Sequence, residues 1–374
     1  MIVFRVDSSL QMGAGHVTRC LSLADVLSDQ SLVCKFVCRE HSGHLISLIR
    51  DRGYEVASLP ISAAAPTGQI GVMKGSQTQH SSWLGVDFFT DAEQTKDVLV
   101  ADRVDWLIVD HYAIDAQWER MMRPLCKKLM VIDDLADRAH DCDLLLDQNL
   151  GRKECDYANL VPDGCNLVVG PEYALLRPEF AALREYSLKR RRPPQLRKLL
   201  VSMGGMDADN ATVQILKGLN ECSFPADCGI TVVMGKNAPW LTAVEQQAKR
   251  MSSPTKVLVN IDNMAQLMAE SDLAIGGAGT TSWERGCLGL PTLVVVLARN
   301  QGASAKELVR IGAAHKLPID SGLSHALQSS ITEFTGNAEK LATMSEQSSK
   351  MTNGDGVKRL LAAMGNVRGE DVAS

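Results

Sequence analysis

Short apolar runs rich in β-branched residues alternate with amphipathic segments along most of this sequence. The first half carries IVFRV (2–6), LVCKFVC (32–38), YEVASL (54–59), DWLIVD (105–110), KLMVID (128–133) and DLLLD (143–147). The second half carries KLLVSM (198–203), ITVVMG (230–235), KVLVN (256–260), DLAIG (272–276) and TLVVVL (292–297). Near-continuous apolar strands separated by helical patterns are typical of a parallel sheet covered on both faces. The sequence therefore predicts an α/β fold.

Length and a break in composition divide the chain into two halves. A chain of 374 residues exceeds the roughly 250–300 residues at which single cores stop growing. Around residues 177–197 the sequence becomes a charged helix, and Pro193–Pro194 cannot continue it. We expect a stiff linker there, a Rossmann-like domain over residues 1–180 and a second over residues 195–374. Their cleft is the expected ligand position.

Composition limits the partners of this chain. A net charge of −5 gives no reason to expect nucleic acid as a partner, and no stretch approaches the roughly 20 apolar residues of a membrane span. The N-terminus lacks the pattern of a secretory signal. The 10 cysteines include no CxxC pair, so we expect reduced thiols and no metal site. We also expect no cofactor. We predict a cytoplasmic monomer that acts on a small molecule.

Residues 62–95 interrupt the alternation of strands and helices. The segment SAAAPTGQIGVMKGSQTQHSSWLG is rich in Gly, Ser, Ala and Gln. Connections of this length are usually either functional or mobile. We expect a long loop or lid and leave both roles open.

The loop after the first strand contains Gly13, Gly15 and His16, and it opens a predicted helix. A dinucleotide fingerprint needs a third glycine, where Thr18 stands here, and an acidic residue after the second strand, where Cys38–Arg39 stands. NAD is therefore not expected. The positive end of a helix disfavours an imidazolium, so a neutral His16 could take a proton from water. The alternative is a histidine that caps the helix or meets a backbone carbonyl, and residue type alone leaves both open.

Two glycine turns of the second half follow predicted strands. In VSMGGMDADNAT (201–212), Gly204 and Gly205 can turn backbone amides toward an anion, and Asp209 is a good N-cap. A plain turn between strand and helix is the alternative. The next turn offers amides, hydroxyls and a helix dipole to a diphosphate, and it consists of Gly276, Gly277, Ala278, Gly279, Thr280, Thr281 and Ser282. Glu284 follows, and its carboxylate can accept both hydroxyls of a ribose.

These motifs together resemble the two-domain GT-B nucleotide-sugar enzymes. Within that group, four features are most similar to the UDP-sugar hydrolases of the pseudaminic acid pathway. They are the Gly-x-Gly-His segment between Asp7 and Ala24, DHYAID (110–115), MGGMD (203–207) and SWERGCLGLP with a downstream Asn-Gln. The similarity runs from residue 1 to about residue 310. The resemblance implies hydrolysis of UDP-2,4-diacetamido-2,4,6-trideoxy-β-L-altropyranose.

The resemblance also implies roles for individual residues. It implies His16 as general base, Glu284 at the uridine ribose and the 278–282 amides at the diphosphate. It further implies Asn300 near the sugar or its phosphate, and Tyr112 on the sugar side, although a packing role for Tyr112 stays open. The 259–261 backbone is implied at the uracil. Among the remaining residues, we expect Asp7 to pair with Arg19, Met264 to face the core and Asp133–Asp134 to cap a helix.

The expected reaction differs from ordinary glycoside hydrolysis. UDP is a weakly basic leaving group, so a protonating acid is less necessary than in the scheme with two carboxylates. A single displacement by water predicts inversion at the anomeric carbon. One alternative is a MurG-like glycosyltransferase that uses a UDP-sugar donor and admits a sugar hydroxyl in place of water. Another is a protein that binds a nucleotide sugar without reacting.

Overall fold

The computed structural model describes residues 1–61, 78–298 and 300–365. The chain divides into two compact units. The first contains Met1–Leu175 together with the segment that starts at Gly356, and the second is Leu176–Asp355. The division differs from the predicted one, which gave the whole C-terminal segment to the second domain.

The first unit is built on a parallel sheet of seven strands in the order β3-β2-β1-β4-β5-β6-β7. Its elements are β1 (Ile2–Val6), α1 (Gly15–Asp29), β2 (Cys34–Arg39), α2 (Ile46–Asp51), β3 (Glu55–Leu59), α3 (Phe88–Leu99), β4 (Val104–Asp110), α4 (Ala116–Met122), β5 (Cys126–Ile132), β6 (Leu144–Asp147) and β7 (Asn166–Val169). The predicted strands of this half are confirmed to within a few residues, and the short edge strand β7 was missed.

Alternation along β1 shows how this sheet is covered on both faces. Ile2, Phe4 and Val6 pack with α1 in one apolar cluster, whereas Val3 belongs to a second cluster on the side of α3 and α4. Successive side chains of a strand point to opposite faces. Arg5 lies on the same face as Val3, fully buried, and donates to Asp91 of α3. A charged group in the core thus has a partner that is fixed by the opposing helix.

The second unit is built on a parallel sheet of six strands in the order β10-β9-β8-β11-β12-β13. Its elements are α5 (Pro178–Arg190), β8 (Lys198–Ser202), α6 (Ala211–Leu219), β9 (Gly229–Met234), α7 (Leu241–Ala248), β10 (Thr255–Val259), α8 (Met264–Glu270), β11 (Leu273–Gly277), α9 (Thr281–Cys287), β12 (Thr292–Val295), α10 (Gln301–Arg310), β13 (Ala314–Lys316), α11 (Leu323–Gly336) and α12 (Ala338–Ser349). The predicted strands are confirmed, and the three-residue β13 was missed. Both units are Rossmann-like, as predicted.

The predicted linker is instead an integral part of the second unit. Arg184 of α5 donates to the carbonyl oxygens of Cys287 and Ser349. Arg191 donates to those of Ser271 at 2.8 Å and Leu288 at 2.6 Å. The last carbonyls of a helix have no partner within that helix, and these guanidinium groups satisfy such carbonyls at the ends of α8, α9 and α12. The charged composition therefore serves helix capping.

The last described helix, α13 (Gly356–Met364), packs with the first unit. Val357, Leu360 and Met364 belong to the same apolar cluster as α1. These residues recur at spacings of three and four, which forms one apolar stripe on a helix. The segment carries no strand signal, so sequence position alone assigned it to the second half.

The predicted loop at residues 62–95 is wrong for residues 88–95, which belong to α3. Residues 62–77 lie outside the described residues. Ser81–Leu84 form a short 3₁₀ turn, and α3 begins at Phe88. The Asp87 side chain accepts from the amide of Thr90 at 3.0 Å, which is an N-cap.

Candidate active site

His16 lies in the first turn of α1, directly after the loop that leaves β1. Gly13 has a φ of +76°, a left-handed conformation that glycine adopts without steric cost, and its amide donates to the carbonyl of Ser9 at 2.9 Å. α1 begins at Gly15 without a side-chain cap. Gly13 thus closes a tight turn that brings His16 to the carboxyl end of β1. His16 is 8% exposed.

Asp110 is the direct partner of His16. It is the last residue of β4, which pairs with β1 in the sheet. Its Oδ1 lies 2.6 Å from His16 Nδ1. Burial alone would raise the pKa of Asp110, but the charges of Arg19 and His16 and their hydrogen bonds hold it well below its usual value. An ionised carboxylate only accepts hydrogen bonds, so Nδ1 carries the proton of that bond.

The bond to Asp110 leaves Nε2 as the nitrogen of His16 that can accept a proton. Nε2 makes no hydrogen bond within the described part of the chain. Arg19 Nη2 lies 3.3 Å from Nδ1, but a guanidinium cannot donate to a protonated nitrogen. The pairing of histidine with a buried carboxylate is the arrangement that orients a general base. The sequence alternative, in which His16 caps the helix, is not observed.

Arg19 holds the other side of Asp110 and does not pair with Asp7 as expected. Arg19 Nε donates to Asp110 Oδ2 at 2.6 Å, and its Nη1 contacts Asp134 at 2.8 Å. Asp7 binds Arg5 at 2.7 Å and the amide of Arg39 at 2.7 Å. Arg19 therefore fixes the carboxylate that fixes His16.

Tyr112 contacts both His16 and Asp134, the second carboxylate that binds Arg19. Its hydroxyl donates to Asp134 Oδ2 at 2.7 Å, and its ring meets the His16 ring edge-on with centroids 4.6 Å apart. Tyr112 is only 5% exposed. Burial raises the pKa of Tyr112 well above its usual value, and Asp134 raises it further, so the hydroxyl stays a donor. Its described contacts orient the site, whereas the implied contact with a sugar stays a prediction.

Two further aromatic residues, His80 and Trp83, line the same site. The Trp83 ring stacks on Tyr112 with centroids 5.7 Å apart. His80 lies 5.4 Å from Tyr112 and 4.7 Å from Trp83. Burial lowers the pKa of His80, which favours a neutral ring. Sequence analysis missed both residues because they follow a segment without any periodic pattern.

The expected cap at Asp133–Asp134 is wrong. Asp133 Oδ2 accepts from the amides of Leu135 at 3.3 Å and Ala136 at 2.7 Å, but no helix follows. Asp134 contributes to the site through Arg19 and Tyr112 instead. The carboxyl ends of adjacent parallel strands share one edge of a sheet. That rule applied to β1, β4 and β5 is the signal that could have found Asp110 and Asp134.

In the second unit, Arg285 organises the glycine turn that follows β11. It donates to the carbonyl of Gly277 at 2.6 Å, to Ser282 Oγ at 3.1 Å and to Thr281 Oγ1 at 3.2 Å. A Cβ atom on Gly276 would lie 2.6 Å from Arg285 Nη1. Gly276 is therefore needed for packing. Ser282 is 2% exposed, so its hydroxyl serves Arg285.

The backbone amides of this turn are only partly available. The Ala278 amide donates to the carbonyl of Val295 at 3.2 Å, and the Ser282 amide donates to that of Gly279 at 2.9 Å. The amides of residues 279–281 have no acceptor among the described residues. An anion at this turn would therefore meet three amides, fewer than the predicted five.

Glu284 follows in the first turn of α9 and is half-buried. Within the described ranges no side chain or amide donates to its carboxylate. Burial raises the pKa of Glu284 to about 7, because the charges of Arg177 and Arg285 only partly offset the cost of desolvation. A carboxylate that is desolvated and lacks a donor is suited to accept hydrogen bonds from a ligand.

The turn after β8 is adjacent, since β8 pairs with β11. Gly204 and Gly205 are exposed, and no atom lies within 4 Å of a Cβ built on either glycine. The predicted cap Asp209 is wrong, because Asp207 accepts from the amides of Ala211 at 2.9 Å and Thr212 at 3.0 Å. These amides are thus not available to an external anion.

The remaining predicted residues lie near these turns or at the surface. Asn300 is exposed and directly precedes α10. Gln301 accepts from the Leu297 amide at 3.0 Å. Met264 is half-buried, whereas Ala265 and Met268 of the same helix are buried. The predicted uracil contact at 259–261 stays untested.

Within the described ranges, no three His, Cys, Asp or Glu side chains are grouped to hold a metal ion. No helix in those ranges combines the length and apolar character needed to cross a bilayer. All cysteines are free thiols.

Comparison with known proteins assigns the fold. The sequence family described as glycosyltransferase family 28 C-terminal domain matches residues 199–360. The crystal structure of MurG from Acinetobacter baumannii superposes with a TM-score of 0.68 over 96% of this chain and 97% of that chain, at 16% identity. The protein has the GT-B fold. A second structural neighbour is the UDP-GlcNAc 2-epimerase of Neisseria meningitidis, with a TM-score of 0.56 over 97% of this chain and 99% of that one, at 12% identity.

Two relatives of this GT-B protein align along most of its sequence. An uncharacterized protein of Methanocaldococcus jannaschii is 28% identical over 86% of this chain, which spans 61% of that relative's length. The UDP-2,4-diacetamido-2,4,6-trideoxy-β-L-altropyranose hydrolase of Campylobacter jejuni is 27% identical over 83% of this chain and 97% of that protein.

Proposed function

We propose that this protein hydrolyses UDP-2,4-diacetamido-2,4,6-trideoxy-β-L-altropyranose to the free sugar and UDP, as a step of pseudaminic acid biosynthesis. The observation that carries the proposal is the 2.6 Å contact between His16 Nδ1 and Asp110, which leaves Nε2 as a proton acceptor. The similarity to the Campylobacter hydrolase over 97% of its length supports the choice of substrate.

In the proposed mechanism, His16 activates water. The water oxygen bonds to the anomeric carbon while the C–O bond to UDP breaks, and its proton passes to His16 Nε2. The bonding electrons leave with UDP, and attack on the face opposite to UDP inverts the anomeric carbon. Asp110 stabilises the imidazolium that forms. Base catalysis of this kind contributes about 10²–10⁴-fold to the rate.

We assign the nucleotide to the second unit. The amides of residues 279–281 would stabilise the charge that develops on the diphosphate. Gly204 and Gly205 are exposed in the turn after the neighbouring strand β8, and Asn300 is exposed directly before α10. We assign these three residues to the same nucleotide-sugar site. Glu284 would accept the ribose hydroxyls.

A GT-B glycosyltransferase is the second candidate function. The match to the glycosyltransferase family 28 C-terminal domain and the likeness to MurG favour it. The same base would then deprotonate a sugar hydroxyl in place of water. The two functions differ in whether the reaction proceeds without an acceptor.

Incubation with a panel of UDP-sugars in ¹⁸O-water, without acceptor, tests the proposal. We expect release of UDP with one ¹⁸O on the anomeric hydroxyl of the free sugar, because water attacks carbon. Label in UDP would contradict C–O cleavage. Absence of turnover without acceptor, followed by turnover when a sugar acceptor is added, would favour the transferase.

Glu284 predicts a pH dependence of nucleotide binding. Only the ionised carboxylate accepts both ribose hydroxyls, and its pKa is raised to about 7. Uridine-nucleotide affinity should therefore increase as the pH rises from 6 to 8. In the Glu284→Gln variant, calorimetric titration with UDP should show weaker binding without this rise. Glu245→Gln, at an exposed position of α7, is the matched control, and an equal rise in both variants would remove Glu284 from the ribose contact.

A further inference from the structure

Two cysteines of the first unit lie in contact. Cys142 Sγ and Cys165 Sγ are 3.6 Å apart, and no other two of the free thiols approach each other this closely within the described ranges. Cys142 lies two residues before β6, and Cys165 directly precedes β7. The two residues are 23 positions apart in sequence, so the pairing of these strands brings them together and no local motif does.

The sheet places the two backbones at a separation that suits a disulfide. β6 and β7 are parallel, with Leu144 opposite Asn166, and the Asn166 amide donates to the carbonyl of Asp143 at 2.8 Å. Paired strands lie about 4.8 Å apart and successive residues about 3.3 Å, and a disulfide spans Cα atoms about 4.4–6.8 Å apart. A pair offset by one residue falls in this range, and the sulfurs need to approach by about 1.5 Å to bond at about 2.05 Å.

Cys142 is the buried and fixed member of the pair. It is 1% exposed. The residues before it are held by Glu119 of α4, whose carboxylate contacts His140 Nδ1 at 2.7 Å and accepts from the amide of Asp141 at 2.5 Å. A sulfur on such a segment reacts only with a group that is brought next to it, and Cys165 provides that group.

Cys165 is the accessible member of the pair, because its side chain is half-buried. The hydrogen bond with Cys142 lowers the pKa of Cys165, and the same bond together with burial raises the pKa of Cys142. The thiolate is the nucleophile of thiol–disulfide exchange. Cys165 is therefore suited to attack an external disulfide, and Cys142 is suited to resolve the mixed disulfide that results.

We propose that Cys142 and Cys165 form a reversible intramolecular disulfide by exchange with a small-molecule disulfide such as glutathione disulfide. The Cys165 thiolate bonds to one sulfur of glutathione disulfide, whose S–S bond breaks and releases one glutathione thiolate. Cys142 Sγ then bonds to Cys165 Sγ, and the second glutathione leaves with the proton of Cys142. The two protein thiols are oxidised, and one glutathione disulfide is reduced to two glutathiones. This modification site is independent of the proposed hydrolysis.

The disulfide would fasten the edge of the first sheet. β7 is the last strand of that sheet and, among the described strands, pairs with β6 alone. Segments with few neighbours open at a lower free energy than central strands, and a cross-link restricts the opened chain by closing a loop. Amide hydrogen exchange of residues 166–169 should therefore be at least about tenfold slower in the oxidised protein than in the reduced protein. Equal exchange in the two forms overturns this role of the disulfide.

Peptide mapping of the full chain tests whether the disulfide forms. The protein is equilibrated in glutathione buffers of increasing disulfide fraction, alkylated, digested with trypsin and analysed by mass spectrometry without reduction. We expect a cross-link between the peptides of Cys142 and Cys165 that increases with the disulfide fraction and is lost after dithiothreitol. Alkylation of both cysteines at every disulfide fraction overturns the proposal, as does glutathione retained on Cys165 with no cross-link.

Three variants locate the bond. The tryptic peptide of Cys165 also contains Cys155, which is an exposed thiol. Cys155→Ser should keep the cross-link, and Cys165→Ser should abolish it. Cys142→Ser should retain one glutathione on Cys165, because the mixed disulfide then has no thiol to resolve it. A cross-link that is lost in Cys155→Ser and kept in Cys165→Ser overturns the proposal.

Cys222 is the matched control within the same chain. It is half-buried like Cys165, but burial raises its pKa to about 11, and no thiol contacts it in the part of the chain that the structure describes. In the reduced protein, iodoacetamide should alkylate Cys165 at least about tenfold faster than Cys222. Equal alkylation rates would show that Cys142 does not activate Cys165 and would overturn the assigned order of attack.

Discussion

Replacing His16 by Asn is expected to lower kcat for UDP release by about 10²–10⁴-fold, the usual contribution of a general base. Asparagine can keep the hydrogen bond to Asp110 but cannot take a proton from water. UDP affinity should be unchanged, because the proposed nucleotide contacts belong to the second unit. Steady-state kinetics with a turned-over UDP-sugar and calorimetry with UDP measure the two effects.

The control is His325→Asn, at an exposed position of α11, which should leave both quantities at the wild-type value. An His16→Asn enzyme that retains most of its kcat would exclude His16 as the base. A variant that loses UDP affinity in step with activity would show that His16 contributes to binding instead. The two measurements thus separate a role of His16 in the reaction from a role in UDP binding. They also test the third alternative, a protein that binds a nucleotide sugar without reacting, because such a protein would bind UDP but show no turnover.

Replacing Asp91 by Asn should destabilise the first unit by about 3–5 kcal/mol, the usual cost of breaking a buried ion pair. Asp91 Oδ2 accepts from Arg5 Nη2 and Arg39 Nη2, both at 2.6 Å, and Oδ1 accepts from Trp118 Nε1 at 3.0 Å. All four residues are fully buried. An amide has no charge to balance two guanidinium groups, and its NH₂ would face a donor.

The free energy of unfolding can be measured by urea denaturation followed by circular dichroism. Asp97→Asn changes the same residue type on the exposed face of α3, and it should shift stability by no more than about 0.5 kcal/mol. If the free energy of unfolding fell by a similar amount in both variants, the ion pairs of Asp91 with Arg5 and Arg39 would not stabilise the first unit. Asp91 belongs to no sequence motif. Its role as the partner of two buried arginines becomes visible only when α3 packs on the sheet that contains β1.

The location of both candidate sites follows from one property of parallel sheets. In each unit the strand order reverses beside the first strand, at β1 and β4 in one and at β8 and β11 in the other. Ligands of open α/β sheets bind at such switch points. His16 with Asp110, and the glycine turns with Glu284, lie at these positions. The glycine-rich loops identified in the sequence follow β1, β8 and β11, which are strands at these switch points.

Sequence patterns predicted the central strands better than the edges. A strand with neighbours on both sides and helices on both faces must be apolar throughout, so runs such as IVFRV and TLVVVL stand out. The edge strands β7 (NLVV) and β13 (AHK) are only four and three residues long, and each contains a polar residue, so no apolar run of strand length marks them. The α3 helix was missed because its apolar residues follow a long segment without a pattern.

The sequence by itself determined the α/β class, the Rossmann-like halves and the candidate base, because apolar periodicity and glycine turns are local properties. Only the tertiary structure decided which carboxylate holds His16, which residue caps α6 and to which unit α5 and α13 belong. Asp110 and His16 are 94 residues apart in sequence and meet because β1 and β4 pair. Such contacts depend on strand order, and strand order results from the packing of the whole sheet.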